Sequence, residues 1–395
     1  GMTATVVSEV NRPHVPTGGA KLTAEIEVEP GRLEEQSTRQ IALCIDASGS
    51  MAGDDIEQAR AGAEWVFGLL DEEDYISIIA FDNEVTTVLE PTRWGAISRE
   101  TAVDAVADIS AGGGTDMYSG LLEAKASLQD LPSDDTTARR VLLLSDGKDN
   151  SHDPDAFDTL AREIDSEGIR IKAAGIGSDY REETIRTLGT AARGEWTHLD
   201  AAGDIESFFG DAVEAAGTVV APDARLELDV ADGVEVSEVY RSLPQTQSVS
   251  PAWEANTAVV PLPDLLDRET QRVVLKIHAP AHDTADAVSL ADVTLRAGAE
   301  TARESITVDY TDDEAKLAEH NEQVDVDHRQ TVIKTELGKG NVAEAQTQLE
   351  RMTRVHGEDT EAVQSAERET RIVMEGGRKE QNRATKIVTD EGIQK

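Results

Sequence analysis

Between residues 37 and 216, short apolar runs alternate with amphipathic stretches, and few folds accommodate that alternation. Ile41–Ile45 is a continuous apolar run, suited to a central parallel strand covered on both faces. Asp54–Leu70 sets Ile56, Ala59, Ala63, Val66, Phe67 and Leu70 on one side of a helix. Tyr75–Phe81 and Val85–Leu89 flank Asp82-Asn83-Glu84 and predict an antiparallel hairpin at a sheet edge. Helical patterns cover 98–109 and 117–130. Arg140–Leu144 and Ile169–Ile176 are again apolar strands, separated by a helix at Pro154–Glu167 with proline in its first turn. A helix at 181–189, a strand at 195–199 and a helix at 203–216 complete the unit. This order predicts an α/β fold: a doubly wound, mostly parallel, Rossmann-like sheet with helices on both faces. Ligand sites in such sheets lie beyond the carboxyl ends of the strands.

Three polar clusters stand where an apolar strand or a glycine stretch gives way to a loop. Asp46, Ser48 and Ser50 follow Leu43-Cys44-Ile45. Thr115 follows Gly112-Gly113-Gly114, and Asp146 ends Val141-Leu142-Leu143-Leu144-Ser145-Asp146-Gly147. Two carboxylates and three hydroxyls form a hard, all-oxygen set, which suits Mg²⁺, Mn²⁺ or Ca²⁺ rather than zinc or copper. The glycines at 112–114 let the Thr115 loop approach closely. The competing role for such Asp and Ser residues is helix capping, which does not need all five together.

This pattern resembles the metal-ion-dependent adhesion site of the von Willebrand factor A (VWA) family, over roughly residues 37–216. The family's Asp-x-Ser-x-Ser falls on Asp46, Ser48 and Ser50, its separate threonine on Thr115 and its last-loop aspartate on Asp146. The resemblance implies that Ser48, Ser50 and Thr115 touch the ion, with Asp46 and Asp146 often acting through water. It implies Mg²⁺ first, with Mn²⁺ or Ca²⁺ as alternatives, and a protein partner that supplies Asp or Glu as the final ligand. Met51, Asp82, Asp116, Tyr118, Lys148 and Asp149 are the expected rim that meets this partner.

Other chemistries fit less well. No Gly-x-x-x-x-Gly-Lys-Ser/Thr occurs, so the glycine run is not a phosphate loop. A phosphoryl-accepting aspartate would need a second aspartate where Ser48 stands. A serine nucleophile needs a base. His152 is the only histidine near a motif loop, and it reads as a solvated loop residue.

The flanks differ from the central unit. In residues 1–36, Lys21–Glu29 alternates polar and apolar residues like a half-buried strand, and Pro30-Gly31 closes it. Residues 217–310 read as all-β, with Leu226–Val230, Val234–Val236, Arg272–Ile277, Val288–Leu295 and Ser305–Val308 as strands. The expectation is that 1–36 completes a β-sandwich with 217–310, with 37–216 inserted between its strands. From 311 to 395 the chain is polar and helical, with candidate helices at Ala315–Leu337, Val342–Val355 and Glu361–Glu375 and a tail from about 378.

Composition bounds the partners. The 395 residues carry 78 acidic and 37 basic side chains, for a formal net charge of −41. That balance argues against nucleic acid, whose binding needs Lys and Arg to displace counterions, and against acidic membrane surfaces. Acidity spread along a chain with little Lys resembles proteins of salt-loving microbes, where concentrated salt screens the repulsion. Cys44 is the only cysteine, so no intramolecular disulfide forms. No signal region or run of roughly 18 apolar residues is present, and the expected location is cytoplasmic. The functional expectation is a non-enzymatic, metal-dependent protein-binding module. The alternative is an adaptor subunit of an AAA-type ATPase, chelatase-like or chaperone-like, and a stand-alone metal-dependent hydrolase ranks third.

Overall fold

The computed structural model describes residues 4–147, 149, 152–177, 180–375, 382 and 386. The chain forms two compact units, one from residues 1–32 with 223–395 and the other from 33–222.

The chain opens with strands β1 (Thr5–Val10), β2 (His14–Val15) and β3 (Ala20–Glu29) of the first unit. It then enters the second unit: β4 (Thr38–Asp46), α1 (Asp54–Phe67), β5 (Tyr75–Phe81), β6 (Val85–Arg93), α2 (Arg99–Ala107) and α3 (Met117–Gln129). There follow β7 (Thr137–Ser145), α4 (Pro154–Ser166), β8 (Arg170–Ile176), α5 (Glu182–Thr190), β9 (Glu195–Leu199), α6 (Ile205–Ala216) and β10 (Val219–Ala221). The central sheet has the order β6-β5-β4-β7-β8-β9, parallel throughout except for the β5–β6 hairpin at its edge. Alternation along β4 sends Ala42 and Cys44 into one core with Leu121 of α3, Leu160 of α4 and Leu188 of α5. The opposite face is covered by α1 and α6, which meet where Gly62 faces the Phe209 ring. The predicted helix at 54–70 ends at Phe67, because Gly68 closes it, with the Gly68 amide donating to Trp65 O and the Leu69 amide to Val66 O.

The remainder of the first unit comprises β11 (Arg225–Val230), β12 (Glu235–Leu243), β13 (Gln247–Ser248), β14 (Ala252–Glu254) and β15 (Thr257–Pro261). It continues with β16 (Leu265–Leu266), β17 (Gln271–Ala279), β18 (Ala285–Ala297) and β19 (Glu300–Tyr310). One sheet has the order β1-β3-β17-β12-β13 and the other β14-β15-β11-β18-β19-β2. β3 pairs with β17 along its length, so residues before the α/β unit share a sheet with residues after it.

Helices α7 (Glu314–Leu317), α8 (Glu322–Gly338), α9 (Val342–His356) and α10 (Glu361–Glu375) follow. The single helix expected at 315–337 is broken. The Asn321 side chain caps the Gln323 amide, and the Asn321 amide donates to Asn11 O at 2.8 Å, which pulls the chain off the helical path. α8, α9 and α10 share a small core of Ile333, Leu337, Ala345, Met352, Val363 and Ala366. β3 departs from the half-buried strand that its alternation predicts: Thr23 and Glu25 are buried together with Leu22, Ala24 and Ile26. The reason is tertiary, since α8 packs across the polar face of β3 and β17.

One buried ion pair anchors the start of the central strand. Arg39 Nε and Nη2 donate to Asp74 Oδ2 at 3.1 and 2.8 Å, and the Arg39 amide donates to Asp74 Oδ1 at 2.8 Å. Arg39 also donates to the carbonyls of Leu69 and Val213, tying β4 to the ends of α1 and α6. Removing one partner of such a pair strands the other charge, so Asp74→Ala is expected to lower unfolding stability by about 3–5 kcal/mol. Chemical denaturation checks this, and a loss under about 1 kcal/mol would show that water reaches Arg39.

Candidate metal centre

Register assembles the site. β4 and β7 are parallel neighbours with Ile45 opposite Leu144, so the next residues along, Asp46 and Ser145, leave the sheet side by side. The Ser145 hydroxyl donates to Asp46 Oδ2 at 2.7 Å, and the Ser48 amide donates to Asp46 Oδ1 at 2.8 Å. Asp46 is therefore not a helix cap; both of its oxygens are oriented by the loop in which it sits. The two serine hydroxyls of the motif lie 3.1 Å apart, and Ser50 Oγ donates to Asp146 Oδ1 at 2.9 Å.

The glycine loop brings in the fifth residue. Gly113 has φ of +82°, a backbone state that a side chain disfavours, and its carbonyl accepts the Gly49 amide at 3.0 Å. The Gly112 amide donates to Ala47 O, which fastens the same loop to the end of β4. Thr115 then lies against Gly147: a Cβ built on Gly147 would sit 3.0 Å from Thr115 Oγ1 and 3.2 Å from Asp46 Oδ2. Asp46, Ser48, Ser50, Thr115 and Asp146 thus converge beyond the carboxyl ends of β4 and β7.

The electrostatics of this cluster fit a cation. No basic side chain among the described residues pairs with Asp46 or Asp146. Burial, then the Asp46 carboxylate, push the Asp146 carboxyl up to about 6. Asp55 at the start of α1 is also raised, by burial and by the charges of Asp54 and Asp46. An all-oxygen, net-negative cluster with Asp46 and Ser48 buried and Ser50 open to solvent matches the preferences of Mg²⁺, Mn²⁺ or Ca²⁺. The alternation pattern treats Asp55 as an outward helix position and gives no hint of its proximity to Asp46.

The expected rim residues fall in different places. Met51 is fully buried beneath the motif loop, and Asp149 is buried as well. Asp149 Oδ2 accepts the Tyr118 amide at 3.2 Å, while Asp116 caps the same helix by accepting the Ser119 amide at 3.1 Å. Both aspartates therefore sit on the positive end of α3. Asp82 is half-buried in the β5–β6 turn and accepts the Glu84 amide at 2.8 Å. Its neighbour Asn83, absent from the expected set, reaches the glycine loop and accepts the Gly114 amide. Lys148 lies outside the described residues.

His152 is not the solvated loop residue that its isolation in the sequence suggests. Its ring stacks on Tyr118 with centroids 4.1 Å apart and planes 10° apart, and Nδ1 lies 3.6 Å from Asp149 Oδ2. Donor atoms of Asp116, Asp149 and His152 fall within 4.8 Å of one another, beside the main cluster. Ser145 and His152 escape the sequence because each acts through a neighbour far along the chain.

Comparison with known proteins agrees with this architecture. The von Willebrand factor type A domain family matches residues 40–211. The uncharacterized protein sll0103 of Synechocystis is 22% identical over 269 residues, covering 67% of this chain and 62% of that one. The magnesium-chelatase 67 kDa subunit of Chlorobaculum tepidum is 26% identical over 192 residues, covering 45% and 30%. This chain thus spans less than two thirds of the length of either relative. Among solved structures, a von Willebrand factor type A protein from Catenulispora acidiphila has the same fold, with a TM-score of 0.81 at 16% identity, over 100% of this chain and 98% of that one. Among the described residues no helix is long and apolar enough to cross a membrane. Residues 40–211 thus match the von Willebrand factor type A domain, within a chain whose fold is that of the Catenulispora acidiphila protein.

Proposed function

We propose that this protein is a non-enzymatic, intracellular interaction module that captures a partner carboxylate through a divalent cation held by Asp46, Ser48, Ser50, Thr115 and Asp146. VWA domains generally mediate protein–protein interactions and commonly hold such an ion. The observation that carries the reading is the convergence, from three loops, of three hydroxyls and two carboxylates that no described basic residue neutralises. When bound, the ion, Mg²⁺ first and Mn²⁺ or Ca²⁺ as alternatives, supplies a hard coordination position that a partner Asp or Glu oxygen fills. Asp46 and Asp146 provide the charge, and Ser48, Ser50 and Thr115 provide short neutral donors. Ser145 holds the Asp46 carboxylate in place. Asp82, Asp116, Tyr118 and Lys148 are the proposed rim toward the partner.

Absence of catalysis is part of this reading. The hydroxyls of Ser48 and Ser50 interact with each other and with Asp146, and His152 is packed on Tyr118 rather than poised at either serine. We further read the organisation as residues 1–36 and 217–310 forming one β-sandwich around a VWA domain at 37–216, followed by a helical region at 311–395. A second reading, an adaptor in an ATPase-driven complex, is favoured by the likeness to a magnesium-chelatase subunit. Stimulation of a purified AAA-type ATPase by this protein would favour it.

Asp46→Asn preserves the acceptor for the Ser48 amide, so it is expected to fold with near wild-type stability. It should weaken Mg²⁺ and Mn²⁺ binding at least about 100-fold and abolish metal-dependent capture of a partner. Calorimetric titration and a pull-down with and without chelator read both, and a mutant that still captures its partner would overturn the mechanism.

Protons compete with the ion for Asp146. With its carboxyl raised to about 6, metal affinity should be flat above that pH and fall by up to about tenfold per pH unit below it. The same raised carboxyl stabilises the metal-free fold in acid, a contribution lost as pH rises through about 6. Added Mg²⁺ should therefore raise the Tm more at neutral pH than in acid. Metal affinity that does not change across this range would remove Asp146 from the ligand set.

A further inference from the structure

The contact between α8 and the β1-β3-β17-β12-β13 sheet is unusual in its chemistry. Its residues Val324, Asp327, His328, Thr331 and Lys334 recur at helical spacing and are all buried, yet only Val324 is apolar. The helix turns its Ile333 and Leu337 instead toward α9 and α10. The helical bundle thus has its own apolar core and meets the sheet through charged groups.

At the centre of that contact, one cation serves three carboxylates. Arg272 Nε lies 2.8 Å from Glu25 Oε1, Nη2 lies 2.7 Å from Glu27 Oε1, and Nη1 lies 3.8 Å from Asp327 Oδ2. Gln323 Nε2 donates to Asp327 Oδ1 at 2.7 Å. Glu25 and Asp327 are 6% and 2% exposed. No donor reaches the buried Glu25 Oε2, and the one Arg272 guanidinium gathers the Glu25 and Asp327 carboxyls on two of its nitrogens. Two ionised carboxylates have only acceptors to offer each other, so a hydrogen bond between them requires a proton. With that proton, Arg272 and the three acids sum to −1 rather than −2.

We propose that the α8–α10 bundle is held on the sheet by a proton-dependent latch in which Glu25 and Asp327 share one proton beside Arg272, so that docking loosens as pH rises. Burial, with repulsion between the two acids, pushes Glu25 up to about 9, and the pair titrates as one unit. Released from the sheet, both acids return to the ordinary carboxylate range near 4. The proton's contribution is therefore complete in acid, shrinks as pH rises and is gone once pH exceeds about 9.

The surrounding charges come from every packed element. Glu238 of β12 lies 3.3 Å from His328 Nε2, and Tyr240 packs edge-on against the His328 ring. Lys276 of β17 donates to Thr23 Oγ1 on β3, and burial lowers its ammonium. Asp325 accepts from Asn11 Nδ2, and Arg329 adds a positive charge that acts on Lys276. Of these, only Lys276 lost as a cation would also loosen docking in the alkaline range, and it does so without the shared proton.

Hydrogen–deuterium exchange of the full chain between about pH 7.5 and 9.5, corrected for intrinsic rates, separates these origins. That window lies above the ordinary histidine range near 6.5. Protection of peptides in 322–375 should fall by up to about tenfold per pH unit and then level off, while peptides in 40–211 hold steady. Glu25→Gln and Asp327→Asn each replace the shared proton with a permanent N–H donor, and each should flatten the slope and leave the helices protected at high pH. A flat wild-type profile overturns the latch, even if neither variant folds. A slope that survives in both variants also overturns it and assigns the loosening to Lys276.

Discussion

The candidate site depends on the in-register parallel pairing of β4 with β7. Parallel neighbours end at the same edge of a sheet, so residues a hundred positions apart emerge together. Because Ile45 lies opposite Leu144, Asp46 and Ser145 share a hydrogen bond, and Asp146 is carried to within reach of Ser50. A slip of one residue would turn Asp46 toward the opposite face of the sheet. Continuous burial of Ile41–Ile45 and Val141–Leu144 prevents that slip, so the apolar core of the sheet fixes the polar geometry at its edge.

The same low-dielectric interior governs where this acidic chain tolerates charge. Arg39 and Asp74 are buried as a matched pair with several hydrogen bonds, and they anchor β4 at the end away from the site. Asp46 and Asp146 are left without a described basic partner, and burial, then their mutual repulsion, raises Asp146. Glu25 and Asp327 share a single guanidinium with a third acid, Glu27. The first arrangement is satisfied within the protein, the second fits a cation and the third fits a proton. In each case the cost of desolvating a charge makes the partner necessary.

Most of the α/β unit is legible in the sequence because its signals are local. The edge hairpin around Asp82-Asn83-Glu84, the helix starting at Pro154 and the short strand at 195–199 all follow from apolar period and turn chemistry. The misreadings arise where a distant element intervenes. Lys21–Glu29 alternates like a half-exposed strand, yet Thr23 and Glu25 are buried because α8 covers them. The helical pattern at 315–337 is interrupted because Asn321 bonds to Asn11, some three hundred residues away. Met51 and Asp149 belong to loops that carry rim residues, but packing turns both inward.

The sequence alone determined which strands of the α/β unit are buried, where each polar loop begins and which oxygen-bearing residues stand at those loops. These are properties of neighbouring residues, set by hydrophobic period, turn residues and side-chain chemistry. The tertiary structure decided which loops meet, and so it alone made Ser145 the holder of Asp46, placed Asn83 against the glycine loop and stacked His152 on Tyr118. It likewise brought Glu25 and Asp327 to one Arg272 guanidinium, a meeting that neither local pattern contains. Such contacts join residues tens to hundreds of positions apart, and their geometry is fixed by sheet register and helix packing rather than by local propensity.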